Sequence, residues 1–256
     1  MISERLRRSI GQAGPSMLHA SVAAALVLVG TYTCAQAETG PCKPDQFNGL
    51  TCGEGPGAAR VIAGTISPSK KMAFAWREPG KAPTEEPDIY QVESVLLWLH
   101  NGTALAISPG DYWDTGTVRA NRYDFHAIWS PNGRLVIELT DFRWSTETLR
   151  LYSLGEHGRP VLSLDLKPIM EFAVRKQLRK IVKNEASYAF EIQGDNSGEP
   201  PRLTIDNRGL IKARIEMQVP KEEDPEIFVD VVFQVRERDG ALEARPLSIR
   251  KSSEKD

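Results

Sequence analysis

The chain has 256 residues, with 32 basic against 34 acidic side chains and a formal net charge of −2. That balance argues against a general nucleic-acid binder, which carries a clear basic excess. Apolar residues at 41% and charged residues at 26% exclude a disordered or multi-span membrane chain and suffice for a sizeable buried core.

Residues 1–37 read as an export signal. Arg5, Arg7 and Arg8 form a positive start, residues 20–30 are an uncharged apolar run, and Ala35-Gln36-Ala37 has the small-x-small form of a cleavage site. The run has 11 residues, well short of the roughly 20 that a spanning helix needs. Cleavage would remove three arginines, Glu4 and Cys34, leaving 29 basic and 33 acidic groups, a net charge of −4, and two cysteines. An even pair in an oxidising compartment predicts a disulfide between Cys42 and Cys52. The expected location is therefore periplasmic or secreted, with residues 38–60 forming a stapled N-terminal segment.

Residues 61–166 read as strands broken by turns. Met72-Ala73-Phe74-Ala75-Trp76 follows Ser67-Pro68-Ser69, and Leu135-Val136-Ile137-Glu138-Leu139 follows Ser130-Pro131-Asn132-Gly133. Proline pre-sets φ and glycine supplies positive φ, so each cluster opens an apolar β-rich run. Residues 94–98 and 104–107 flank His100-Asn101-Gly102-Thr103, a hairpin signal, and residues 148–154 alternate with period two.

Ile128 to Val136, followed by Leu149 to Leu154, looks like one blade of a TolB- or WD40-type β-propeller, and Ile66 to Phe74 resembles the start of another. The stretch from Thr65 to Leu154 is similar to a family of uncharacterised exported bacterial proteins. The resemblance implies strand–turn–strand units and no particular chemistry. The two Ser-Pro turns stand 63 residues apart, whereas propeller blades repeat at about 40–50. An open blade-like antiparallel sheet is therefore expected rather than a closed propeller.

Residues 168–183 read as a helix, with proline near its start and Met170, Val174, Leu178 and Ile181 in a 3–4 stripe. Five strands follow, at 186–192, 202–205, 210–219, 227–236 and 241–249. Short turns link them, Asp239-Gly240 among these, so an antiparallel meander is predicted. Residues 251–256 form a charged tail. The expected class is mainly β with one α-helix (α+β): a blade-like antiparallel β-sheet over 61–166, then the helix and the meander over 167–250.

Signatures of catalysis are scarce. The sequence has no G-x-S-x-G, H-E-x-x-H, phosphate-binding loop or dinucleotide fingerprint. His100, His126 and His157 have no zinc-site spacing, and neither a metal nor another cofactor is expected. The segment Asp111 to His126 is the most suggestive, together with residues 141–144 if both are loops at one end of a sheet. Tyr112, Trp113, Arg119, Arg122, Tyr123, His126, Arg143 and Trp144 there combine aromatic area with arginines that stack or grip carboxylates. The alternative is that these aromatics plug the sheet end. Arg175, Lys176, Arg179, Lys180 and Lys183 make the helix basic, which admits membrane contact but more simply gives a solvated face. Asp195 to Glu199 reads as a turn. The expected function is non-catalytic binding of an envelope protein or glycan. The alternatives are hydrolysis of envelope glycan or peptide through Asp111, Asp124 and Asp141 with His126, or inhibition of a foreign hydrolase.

Overall fold

The computed structural model describes residues 40–143, 145–155, 161–194, 200–219 and 226–252. The predicted export signal, Trp144, His157, residues 195–199 for which a turn is predicted, and most of the predicted tail lie outside these.

Three antiparallel sheets and one helix make up the described part. The first sheet runs in chain order: β1 (Cys42–Pro44), β2 (Leu50–Cys52), β3 (Ala59–Val61), β4 (Met72–Arg77), β5 (Glu93–Trp98) and β6 (Ala104–Pro109). The second contains β7 (Tyr123–Trp129), β8 (Leu135–Phe142), β9 (Ser145–Ser153) and β10 (Leu162–Asp165), also in chain order. The helix α1 (Lys167–Leu178) leads to β11 (Ala189–Ile192), β12 (Leu203–Ile205), β13 (Leu210–Gln218), β14 (Ile227–Arg238) and β15 (Ala241–Lys251). The mainly β, α+β class is borne out, and the second sheet is a four-stranded blade-like unit.

The predicted disulfide is present: Cys42 and Cys52 are bonded across the β1–β2 ladder. The staple belongs to the first sheet, because β3 crosses the expected boundary at residue 60 and pairs with β4. The five-residue β1–β2 loop is set by Asp45, whose carboxylate accepts from the amides of Phe47 and Gly49 and from the Thr51 hydroxyl.

The five C-terminal strands are not a simple meander. β11 pairs with Ile215 to Gln218 and β12 with Ile211 to Ala213, so both lie end to end along one edge of β13. The nine residues of β13 are long enough to take both. Its other edge pairs with β14, and β15 closes the sheet. Pro246 and a bulge beside it interrupt β15, which protects an exposed edge from pairing with another chain.

The helix is shorter than expected. It ends at Leu178: Met170, Val174 and Leu178 are buried, whereas Ile181, the last member of the expected stripe, is 43% exposed. Its basic face is partly engaged: Arg175 donates to Glu171 and to the backbone oxygens of Glu185 and Tyr188, and Arg179 pairs with Glu185 at 2.6 Å. Among the described residues no helix is long and apolar enough to cross a membrane.

Strand alternation makes the second sheet the middle layer. Ile137, Leu139, Leu149 and Leu151 pack with α1 and the third sheet, around Met170, Ile215 and Phe233. The other face, with Phe125, Val136 and Tyr152, packs on Phe74, Trp76 and Leu96 of the first sheet. β8 is buried on both faces, which explains the unbroken apolar run Leu135-Val136-Ile137 at its start.

Candidate functional site

The segment between β6 and β7 folds back over the end of the first and second sheets. Asp114 and Arg119 form an isolated bridge, and the Ala120 amide donates to Trp113 O. Within this turn the Thr115 hydroxyl accepts from the Val118 amide, and the Asp114 carboxylate accepts from the Gly116 amide at 2.7 Å. The segment is tied to the first sheet by Trp76 Nε1, which donates to Asp114 O at 2.9 Å, and by Arg60 Nη1, which donates to Thr115 O at 3.2 Å. Gly116 has φ +92° and a Cβ there would meet the Phe47 ring at 2.5 Å, so glycine is required where this turn touches the stapled hairpin.

The two predicted segments do come together: residues 111–122 and Arg143 are connections outside the strands, as expected, whereas residues 123–126 and 141–142 are paired strands. Tyr123 to Trp129 is β7, whose partner β8 sets Tyr123 opposite Phe142 and Asp124 opposite Asp141. Tyr123 and Phe142 ring centroids are 4.7 Å apart, and the Arg143 guanidinium lies 5.7 Å from the Phe142 centroid. Tyr112 packs on Phe125 at 5.9 Å. Arg119 is 3.6 Å from Asp124, with both side chains substantially exposed, a geometry that contributes little to stability. Tyr112, Arg119, Tyr123 and Arg143 thus share the sheet end.

The other predicted residues divide differently. Trp113 is buried at 7% exposure against Trp76, so it serves as a core plug and not as a contact surface. His126 stands opposite Leu139, on the face turned to the third sheet and away from Tyr123. Arg122 is exposed in a left-handed conformation at φ 69°. The carboxylates named for hydrolysis are likewise separated by the sheet. Asp124 and Asp141 share the His126 face, whereas Asp111 sits with Glu147 and Tyr123.

Two acids escaped the sequence reading. Partial burial pushes the Asp111 carboxyl above its ordinary range, and the neighbouring Glu147 adds to the shift. Glu147 is the extra residue where the β8–β9 register slips between Thr140 and Asp141, and the bulge turns it outward. Deeper between the first and second sheets, Glu138 is 1% exposed. Tyr152 Oη donates to its Oε2 at 2.7 Å, Ser108 Oγ lies 3.3 Å from that hydroxyl, and Arg150 Nη1 is 3.6 Å from the carboxylate. Burial pushes the Glu138 carboxyl up, Ser94, Tyr152 and Arg150 pull it down, and Asp111 adds to the rise. The clue was present in sequence as a lone acid inside Leu135-Val136-Ile137-Glu138-Leu139.

Among the described residues no group of three or more His, Cys, Asp or Glu is placed to hold a metal ion. No family model, curated protein or solved structure matches the chain.

Proposed function

We propose that the chain is an exported, non-catalytic binding protein of the cell envelope, recognising an envelope protein or glycan at the β7–β8 end of its second sheet. The observation that carries this reading is the stack of Tyr123, Phe142 and Arg143, held by paired strands beside Tyr112 and Arg119. Rigid aromatic faces with an adjacent guanidinium suit sugar rings and peptide side chains, and they lose little conformational freedom on binding. Asp111 and Glu147 beside Tyr123 would supply hydrogen-bond acceptors. The Cys42–Cys52 disulfide is consistent with an extracytoplasmic site of action.

The test is in-cell crosslinking of the full chain beside a Tyr123→Ala/Arg143→Ala form whose fold is verified by circular dichroism. Capture of one partner by the parent and not by the variant supports the reading. Equal capture by both overturns this choice of surface. A second reading, hydrolysis, is favoured by the adjacency of Asp111 and Glu147 with one carboxyl held up. A captured glycan or peptide that is cleaved by the parent and survives with Asp111→Asn would establish it instead.

A further inference from the structure

The opposite end of the central sheet carries a cleft of about 620 Å³ between the β8–β9 strand ends and the tip of the β14–β15 hairpin. Its size falls within the roughly 300–1,000 Å³ of small-molecule sites. The lining has two chemistries. Leu135, Leu154, Leu162 and Leu242 provide an apolar floor, while Arg134, Arg208 and Arg236 stand along it with Glu237 as the single acidic residue among those lining it.

The walls are built and not merely adjacent. The Asn132 amide donates to Asn207 Oδ1 at 2.9 Å, tying the turn before β8 to the turn before β13. The Asp206 carboxylate accepts from the amides of Arg208 and Leu210, both at 2.8 Å. Gln234 Nε2 donates to Arg208 O at 2.7 Å, and the Val235 amide donates to Gly209 O at 2.9 Å. Gly209 has φ +76°, and a Cβ there would lie 2.7 Å from Val235 O, so the close approach of this turn to β14 demands glycine. The backbone carrying Arg208 is fixed from both sides before any ligand arrives, which lowers the ordering cost of binding.

We infer that this cleft is a binding site for a small amphiphilic anion, a ligand with an apolar body and a terminal carboxylate or phosphate. Three arginines against one glutamate select the negative charge, and a guanidinium grips either anion through paired N–H groups. The leucine floor takes the apolar body. The site lies at the other end of the sheet from the proposed partner surface and does not depend on it.

The test is calorimetric titration of the full chain with decanoate, decyl phosphate and decanol, each below its micellar range. The two anions are expected to bind and decanol to bind much more weakly, and the stronger of the two anions identifies the headgroup. Arg208→Ala and Arg236→Ala, both at exposed positions, should each weaken the preferred anion by about tenfold while the melting temperature stays within a few degrees. Decanol binding as tightly as the anions overturns the inference, as does unchanged affinity in the double arginine variant. So does the absence of heat from either anion, provided that chemical-shift mapping with decanoate also leaves the Asn207 and Gly240 amides unmoved.

Discussion

Arg60 is the residue whose loss should tell most about how the stapled hairpin is attached. Its Nη1 lies 2.9 Å from Asp45 Oδ2, with side chains only 8% and 12% exposed, and donates to Thr115 O. Its guanidinium also lies 5.5 Å from the Phe47 centroid. Replacing Arg60 with methionine keeps the packing stem but deletes the charge and both polar contacts. Removing one partner of a buried pair typically costs about 3–5 kcal/mol. Asp45 keeps the two amides and the Thr51 hydroxyl, so the lower end, about 3 kcal/mol, is expected from urea unfolding of the oxidised protein at neutral pH. The pH dependence provides an independent check. Partial burial works to raise the Asp45 carboxyl, but the amides, Arg60 and Thr51 outweigh it and hold the group below its ordinary range. Its contribution is therefore present above the ordinary aspartate range and is lost as pH falls through the depressed value. The gap between parent and Arg60→Met should narrow on acidification through that window. A loss below about 1 kcal/mol at neutral pH, the scale of an exposed ion pair, would refute the reasoning.

Two further outcomes are expected. Cys42→Ala/Cys52→Ala should lose about 3 kcal/mol in the chain-entropy account of a short closed loop, and added reductant should then leave its urea midpoint unchanged while lowering that of the parent. The raised Glu138 carboxyl contributes stability that is full below the ordinary glutamate range and declines as pH rises toward the raised value. Glu138→Gln should flatten that decline, leaving the smaller slope due to Asp111, and at pH 8 should be within about 1 kcal/mol of the parent or above it, because an amide oxygen still accepts from Tyr152. Parallel melting profiles for parent and variant between pH 4 and 8 would contradict the burial argument.

Strands opened by strong turn chemistry were readable in sequence: β4 after Ser67-Pro68, β8 after Pro131-Asn132-Gly133, and β14–β15 around Asp239-Gly240. β7 was not, although Tyr123, Phe125, Ala127 and Trp129 alternate with period two. Asp124 and His126 between them gave the segment the look of a loop, because an edge strand tolerates polar residues on a face that a central strand would have to bury. The three-residue strands β1 to β3 are too short for any period to register. At the sheet end, aromatic and arginine content pointed to the right segments but not to which side chains would be available. Trp113 looked like an anchor by residue type, and only its packing against Trp76 from a strand 37 residues earlier turns it inward. The cleft arginines are at 134, 208 and 236, too far apart in the chain for spacing to reveal a site.

The two halves of the chain cannot be treated as separate units, and the reason lies in β8. Ile137, Leu139, Leu149 and Leu151 are fully buried under α1 and the third sheet, and burying each such side chain is worth about 1.5–3 kcal/mol. Exposing all four by removing the C-terminal half would forfeit about 6–12 kcal/mol, as much as the whole net stability of an ordinary domain. The same strand reaches from the cleft, at Leu135, to the aromatic end, at Phe142, eight residues or about 25 Å at the usual rise. A strand clamped on both faces holds two surfaces at a fixed separation without requiring that they communicate. Substitutions at Tyr123 and Arg143 should therefore leave anion affinity at the cleft unaltered, and Arg208 and Arg236 should leave partner capture unaltered, since residues this far apart with no shared contacts act additively. Coupling between them would mean that the central sheet shifts as a body against its two neighbours.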